Sequence, residues 1–144
     1  MTTNTAAPLP PTRVDPRQVM NYLKKVVNYN DAGIASGVAF ENSIPKNAFI
    51  AQILVEIITA FNAVTTNVLT VGQNSTDYND MVAAGDVDET ATGVTTINRG
   101  LGRALTSAGD ITPYAKYTQT GTAATAGKAE ILIVYSGGED IDGF

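Results

Sequence analysis

Residues 48–62 read AFIAQILVEIITAFN, and whether this run is a helix or a strand decides the fold. Phe49, Ile50, Ile53, Leu54, Ile57, Ile58 and Phe61 fall at helical spacing, yet Phe49, Ile53, Val55, Ile57 and Phe61 also line one side of a strand. Periodicity fits both. Helix propensity counts against the first reading, because Ile50, Ile53, Val55, Ile57, Ile58 and Thr59 are β-branched and lose χ1 freedom on a helix. The following AVTTNVLTVG, with its stop at Gly72, is more plainly strand-forming. If both runs are strands, they read as long antiparallel neighbours joined through Phe61-Asn62-Ala63. A strand from Phe49 to Phe61 would extend roughly 40 Å, long for a small domain, so a bulge or bend is expected within it.

The remaining segments follow from local punctuation. The pattern Val19, Met20, Tyr22, Leu23, Val26, Val27, Tyr29 predicts a strand over 22–29, closed by the turn signal Asn30-Asp31-Ala32-Gly33. One short strand fits around 37–41. Residues 73–92, QNSTDYNDMVAAGDVDETAT, form a long acidic connection with a short helix over 77–84, capped by Ser75 or Thr76. GVTTIN reads as a short strand and RGLGRALTSAGD as a glycine-rich loop. In ITPYAKYTQT, Tyr114, Lys116 and Thr118 alternate against Pro113, Ala115 and Tyr117. The run KAEILIVYSGG places Ala129, Ile131, Ile133 and Tyr135 on one face, and Glu130, Leu132 and Val134 on the other. The fold class is therefore all-β: an antiparallel β-sandwich or jelly-roll-like body with a short helical connection. Its expected organisation is a Pro-rich extended arm over 1–16 (Pro8, Pro10, Pro11, Pro16), a β-sandwich domain over 17–138 and a polar tail over 139–144.

Composition narrows the function. The net charge of −5 argues against nucleic acid, since phosphate binding needs clustered Lys and Arg and only Lys24-Lys25 comes close. The chain has no His and no Cys, which removes Ser-His-Asp triads, Cys-His pairs, imidazole metal sites and disulfides. The first residues, MTTNTAAPLPPTRVDP, lack the basic and apolar regions of a signal peptide. Gln52 and Glu56 break the longest apolar run, so no membrane span is expected.

The weaker site candidates each have a plainer reading. Asp77, Asp80, Asp86, Asp88 and Glu89 supply oxygens of the kind Ca²⁺ takes, but not at EF-hand spacing, and a solvated acidic connection explains them. Glu139-Asp140-Ile141-Asp142-Gly143 begins like a calcium loop without a distal Glu. Arg99-Gly100-Leu101-Gly102-Arg103 has the glycines of a phosphate cradle but not its strand–helix context. Asn74-Ser75-Thr76 is a formal glycosylation sequon, meaningful only in a secretory pathway. Tyr114, Tyr117 and Tyr135 would make a sugar-stacking platform if brought together, but cross-strand pairing within a sheet accounts for them. Glu56 and Glu130 lie on strands and would be the carboxylate pair of a hydrolase if they faced one another in a cleft; outward polar positions are the simpler expectation. No catalytic, cofactor or metal residue is assigned.

The stretch TAFNAVTTNVLTVGQNSTDYNDMVAAGDVDETATGVT, taken with the closing TAATAGKAEILIVY, resembles structural proteins of tailed bacteriophages of the head decoration (cement, or minor capsid) type, to which head and tail fibre modules are related. The resemblance covers roughly residues 40–136 and carries no catalytic motif. In that pattern the run 48–62 is a strand, which tips the opening ambiguity. It implies a non-enzymatic virion protein that binds the outer surface of a capsid and stabilises it. The implied partner is the major capsid protein, with assembly as a homotrimer and no cofactor, nucleic acid or membrane. The implied location is the virion surface, and the host cytoplasm before assembly. The alternative is a fibre or receptor-binding module that takes host glycans.

Overall fold

The computed structural model describes residues 20–99 and 101–137. The arm expected over 1–16 and the tail over 139–144, including its calcium-like run, lie outside them. Within the described residues every regular element is a strand: β1 Met20–Asn28, β2 Val38–Ala39, β3 Ile50–Thr59, β4 Thr66–Gly72, β5 Gly93–Ile97, β6 Tyr114–Thr120 and β7 Lys128–Ser136. They form two antiparallel sheets, one of four strands in the order β1-β7-β3-β5 and one of three in the order β2-β6-β4. The all-β sandwich read from the sequence is the observed architecture.

The opening run is β3, a central strand between β7 and β5. Ile53, Val55 and Ile57 point inward and are buried, opposite Ile133, Ile131 and Ala129 of β7, which are also buried. Each fully buried Ile or Val contributes roughly 1.5–3 kcal/mol, and these six residues of the two strands belong to the buried core. The expected irregularity is present twice, as register shifts between Ile50 and Gln52 and between Ile57 and Thr59. The first corrects the facing predicted for Phe49. In an unbroken strand Phe49 would share the side of Ile53, but the extra residue Ala51 inverts the alternation. Ile50 is therefore buried at 3% exposure, and Phe49 stands outside at 44%.

A second correction concerns the partner of β3. β3 and β4 are not antiparallel neighbours: β4 pairs with β6 in the other sheet. Residues 60–65 carry the chain across the sandwich, and Phe61 at the crossing is buried against Tyr117 of β6 with ring centroids 4.5 Å apart. The Asn62 carboxamide receives the Thr125 and Ala126 N–H groups, while Asn67 Oδ1 accepts the Ala63 N–H and its amide donates to the Ala63 carbonyl. Asparagine chemistry at the crossing, rather than a tight hairpin, sends the two strands to different sheets.

The helix expected over 77–84 is not formed. The Asn74 Oδ1 accepts the N–H groups of both Thr76 and Asp77, an Asx-type turn that satisfies the backbone locally and leaves no reason to start a helix. Residues further along pair instead with β4: the Met81 and Val82 N–H groups donate to the Val71 carbonyl, and the Val71 N–H donates to the Val82 carbonyl. Propensity for a turn of helix lost to an edge strand that needed partners.

Candidate functional site

The acidic connection is structural along most of its length. Asp80 accepts from the Gln73 N–H at 3.0 Å and from its amide. Asp86 accepts the Ala83 N–H and pairs with Arg99 at 2.5 Å, and Asp88 accepts from the Thr90 N–H and hydroxyl. Glu89 is 6% exposed and its Oε1 receives the Leu69 N–H at 2.7 Å, on the side of β4 away from β6. Its own carbonyl accepts the Phe61 N–H. Together Val82 and Glu89 close the free edge of the three-stranded sheet. Sequence reasoning grouped Glu89 with solvated carboxylates; its role as an edge cap has no local sequence signal. Among the described residues, no group of three or more acidic side chains converges as a cation site would require.

These contacts set the charge states. Burial would raise the Asp86 carboxyl, but the Ala83 N–H and the Arg99 guanidinium outweigh it and hold the group below its ordinary value. The Thr90 hydroxyl and N–H lower Asp88. Burial pushes Glu89 up against the opposing pull of the Leu69 N–H. Burial also raises the Tyr117 phenol, helped by the nearby Glu89 carboxylate.

The segment Leu101–Asp110 is not an open cradle. The Gly102 carbonyl accepts the Ile50 N–H, the Thr106 hydroxyl donates to the Ala48 carbonyl at 2.6 Å, and Arg103 donates to the Asn47 carbonyl while its guanidinium lies 5.5 Å from the Phe49 ring. The loop plugs one end of the sandwich, and Thr106 is fully buried there. Beside it an open cleft of about 490 Å³ runs between Gln73–Ser75 and Ala108–Thr112. Its acidic group, Asp110, is engaged by the Lys46 N–H.

The three tyrosines are not brought together. Tyr117 is buried inside, Tyr114 lies on the outer side of β6, and Tyr135 belongs to the other sheet. Tyr117 pairs with Phe61 inside the core, and Tyr114 pairs edge-on at 6.4 Å with Tyr78, which was not among the predicted platform residues. The Tyr78 hydroxyl donates to the Ser36 carbonyl, and Lys116 Nζ sits 4.7 Å from its ring centroid. Glu56 and Glu130 do face one another, as Cα partners across β3 and β7, but on the outer surface of the sheet, where Glu130 is paired with Lys24 at 3.6 Å.

The arrangement is thus a sandwich whose loops, edge and carboxylates serve the fold. The same architecture occurs in a phage capsid. The chain is similar to a chain of the Cyanophage Pam1 capsid asymmetric unit, with a TM-score of 0.57 and 16% sequence identity, over 94% of this chain and 98% of that one. At that identity the likeness is one of fold, and it extends over nearly the full length of both chains. No family model matches the chain. No curated protein matches it either.

Proposed function

We propose that this chain is a non-enzymatic structural protein of a phage virion, which binds the outer surface of the capsid as a homotrimer and stabilises the shell. The observation that carries the reading is the end-to-end likeness of fold to a chain of the Cyanophage Pam1 capsid asymmetric unit. The resemblance of residues 40–136 to phage head decoration proteins points the same way. Asp80, Asp86, Asp88 and Glu89, which cap turns and a sheet edge, fit a structural role.

The partner in this reading is the major capsid protein. Stabilisation follows from mass action: a protein that binds only the assembled lattice favours it by about 2.7 kcal/mol per site at a free concentration one hundred times its Kd. The fibre reading, in which aromatic faces stack on host glycans, has less support, because the Tyr78 face is already approached by Lys116. The test is to add purified protein to capsids stripped of it and follow their disruption by heat. A higher disruption temperature that saturates with added protein is expected; an unchanged temperature at saturating protein contradicts the proposal.

A further inference from the structure

The two outward faces of the sandwich are chemically unlike. On the three-stranded sheet the outward positions include Thr66, Thr118 and Lys116, and Tyr78 lies across them. On the four-stranded sheet the outward positions form an apolar band with no covering segment among the described residues. Tyr22 of β1 lies opposite Val134 of β7, Leu132 of β7 lies opposite Leu54 of β3, and Val94 of β5, opposite Glu56, sits diagonally beyond Leu54, so the band runs obliquely across the sheet. Tyr22 and Val94, on the two edge strands, are 64% and 63% exposed. Met20 and Ile58 extend the band along the strands. Four of the six large hydrophobic side chains exposed among the described residues thus lie on this one face.

The charges on the face identify what fits it. Its ionisable side chains are Lys24, Lys128, Glu56 and Glu130, two positive and two negative, so the face is neutral although the chain carries −5. A face with no net charge adds no repulsion between copies of an acidic chain. Its Lys and Glu rows are adjacent and can pair with the same rows of a neighbour. Three strands of nine or ten residues and one of five, at ~3.3 Å per residue and a ~4.8 Å spacing, give a flat footprint of roughly 500 Å², to which side-chain relief adds toward the ~800 Å² of accessible surface per partner in a standard interface. One such face from each of three subunits can converge on a threefold axis.

The geometry points to this face of the four-stranded sheet as the surface through which copies of the chain associate. The inference deepens the homotrimer of the proposed function and rests on that part of it, while it does not require capsid binding.

Native mass measurement of the full chain decides it, alongside the double variant Tyr22→Asp/Val94→Asp. The wild type is expected as a trimer of the 15.1 kDa chain at micromolar concentration, and a dimer would overturn the threefold arrangement. The double variant should associate at least 100-fold more weakly, with an unchanged β-sheet circular dichroism spectrum and cooperative unfolding, because both side chains are exposed. A single-chain wild type, or a double variant that keeps the wild-type mass, overturns the inference. Because the chain has no cysteine, Val94→Cys introduces a unique thiol as a second readout. The thiol should be protected in the oligomer and open once Tyr22→Asp is added. A thiol open within the oligomer places the interface elsewhere, and a thiol protected in a single-chain species makes residues 1–19 the occupant; both overturn the inference. Capsid binding is read separately, so an oligomer that fails to bind capsids contradicts the capsid proposal and leaves this one standing.

Discussion

At the scale of single residues, three positions decide how the sandwich closes. Gly72 ends β4 where the backbone of Asp77 and Tyr78 presses against its Cα, leaving no room for a Cβ. The sequence marked Gly72 as a strand stop, and the structure adds the close approach that requires glycine. Gly72→Ala is expected to lower stability by about 1–3 kcal/mol or more, read from the urea midpoint. Phe61→Ala removes the ring packed on Tyr117 and should cost about 3–5 kcal/mol by the same measurement. Glu89 behaves differently, because its folded-state carboxyl lies above the ordinary 4.5. Below that value both folded and unfolded chains hold the proton. As pH rises past it the unfolded chain ionises first, so this group's contribution to stability falls with rising pH until the folded carboxyl also ionises. Glu89→Gln keeps an acceptor for the Leu69 N–H without the charge. It should be more stable than the wild type at pH 7, with the difference shrinking toward pH 4; a constant difference across that range contradicts the burial argument. Asp86 has the opposite sign: its stabilisation is present above 3.8 and is lost as pH falls through its lowered folded value.

At the scale of elements, the existence of strands was legible and their partners were not. β-branching and alternation in ILIVY and ILVEII marked β7 and β3; which face of β7 is buried, Ala129, Ile131 and Ile133 opposite Ile57, Val55 and Ile53, is set by the sheet order. The facing of Phe49 was illegible because one inserted residue, Ala51, inverts parity without leaving a mark in composition. The partner of β4 was illegible because pairing is a long-range choice: Asn62 and Asn67 anchor the crossing through Thr125, Ala126 and Ala63, and only the fold brings the first two of these near. The acidic connection shows the same limit. Its helix propensity is real but weak, and the uncovered edge of β4 recruits Val82 and Glu89 instead. Val82→Pro deletes the N–H that donates to the Val71 carbonyl and reopens that edge. The expected result is a loss of about 3 kcal/mol together with faster aggregation on mild heating. Unchanged aggregation at equal unfolded fraction would remove the edge-protection role.

At the scale of the whole molecule, the excluded chemistry was the clearest thing in the sequence. A chain without His or Cys, with −5 net charge and 16% charged residues, points away from nucleic acid and from most catalytic constellations. What composition leaves invisible is the division of the surface into a polar, partly covered face and a neutral apolar one, since Tyr22, Leu54, Val94 and Val134 come together only through the order β1-β7-β3-β5. The proposed capsid role rests on the likeness of fold to a phage capsid chain and on the resemblance read over 40–136, and it predicts a lattice-dependent interaction. The most direct measurement is the occupancy of purified protein on expanded capsids, compared with the same capsid protein left unassembled. Saturable binding to the expanded shell, at a fixed number of symmetry-related positions and with none to the unassembled protein, is the predicted result; equal binding to both, or none to either, contradicts it.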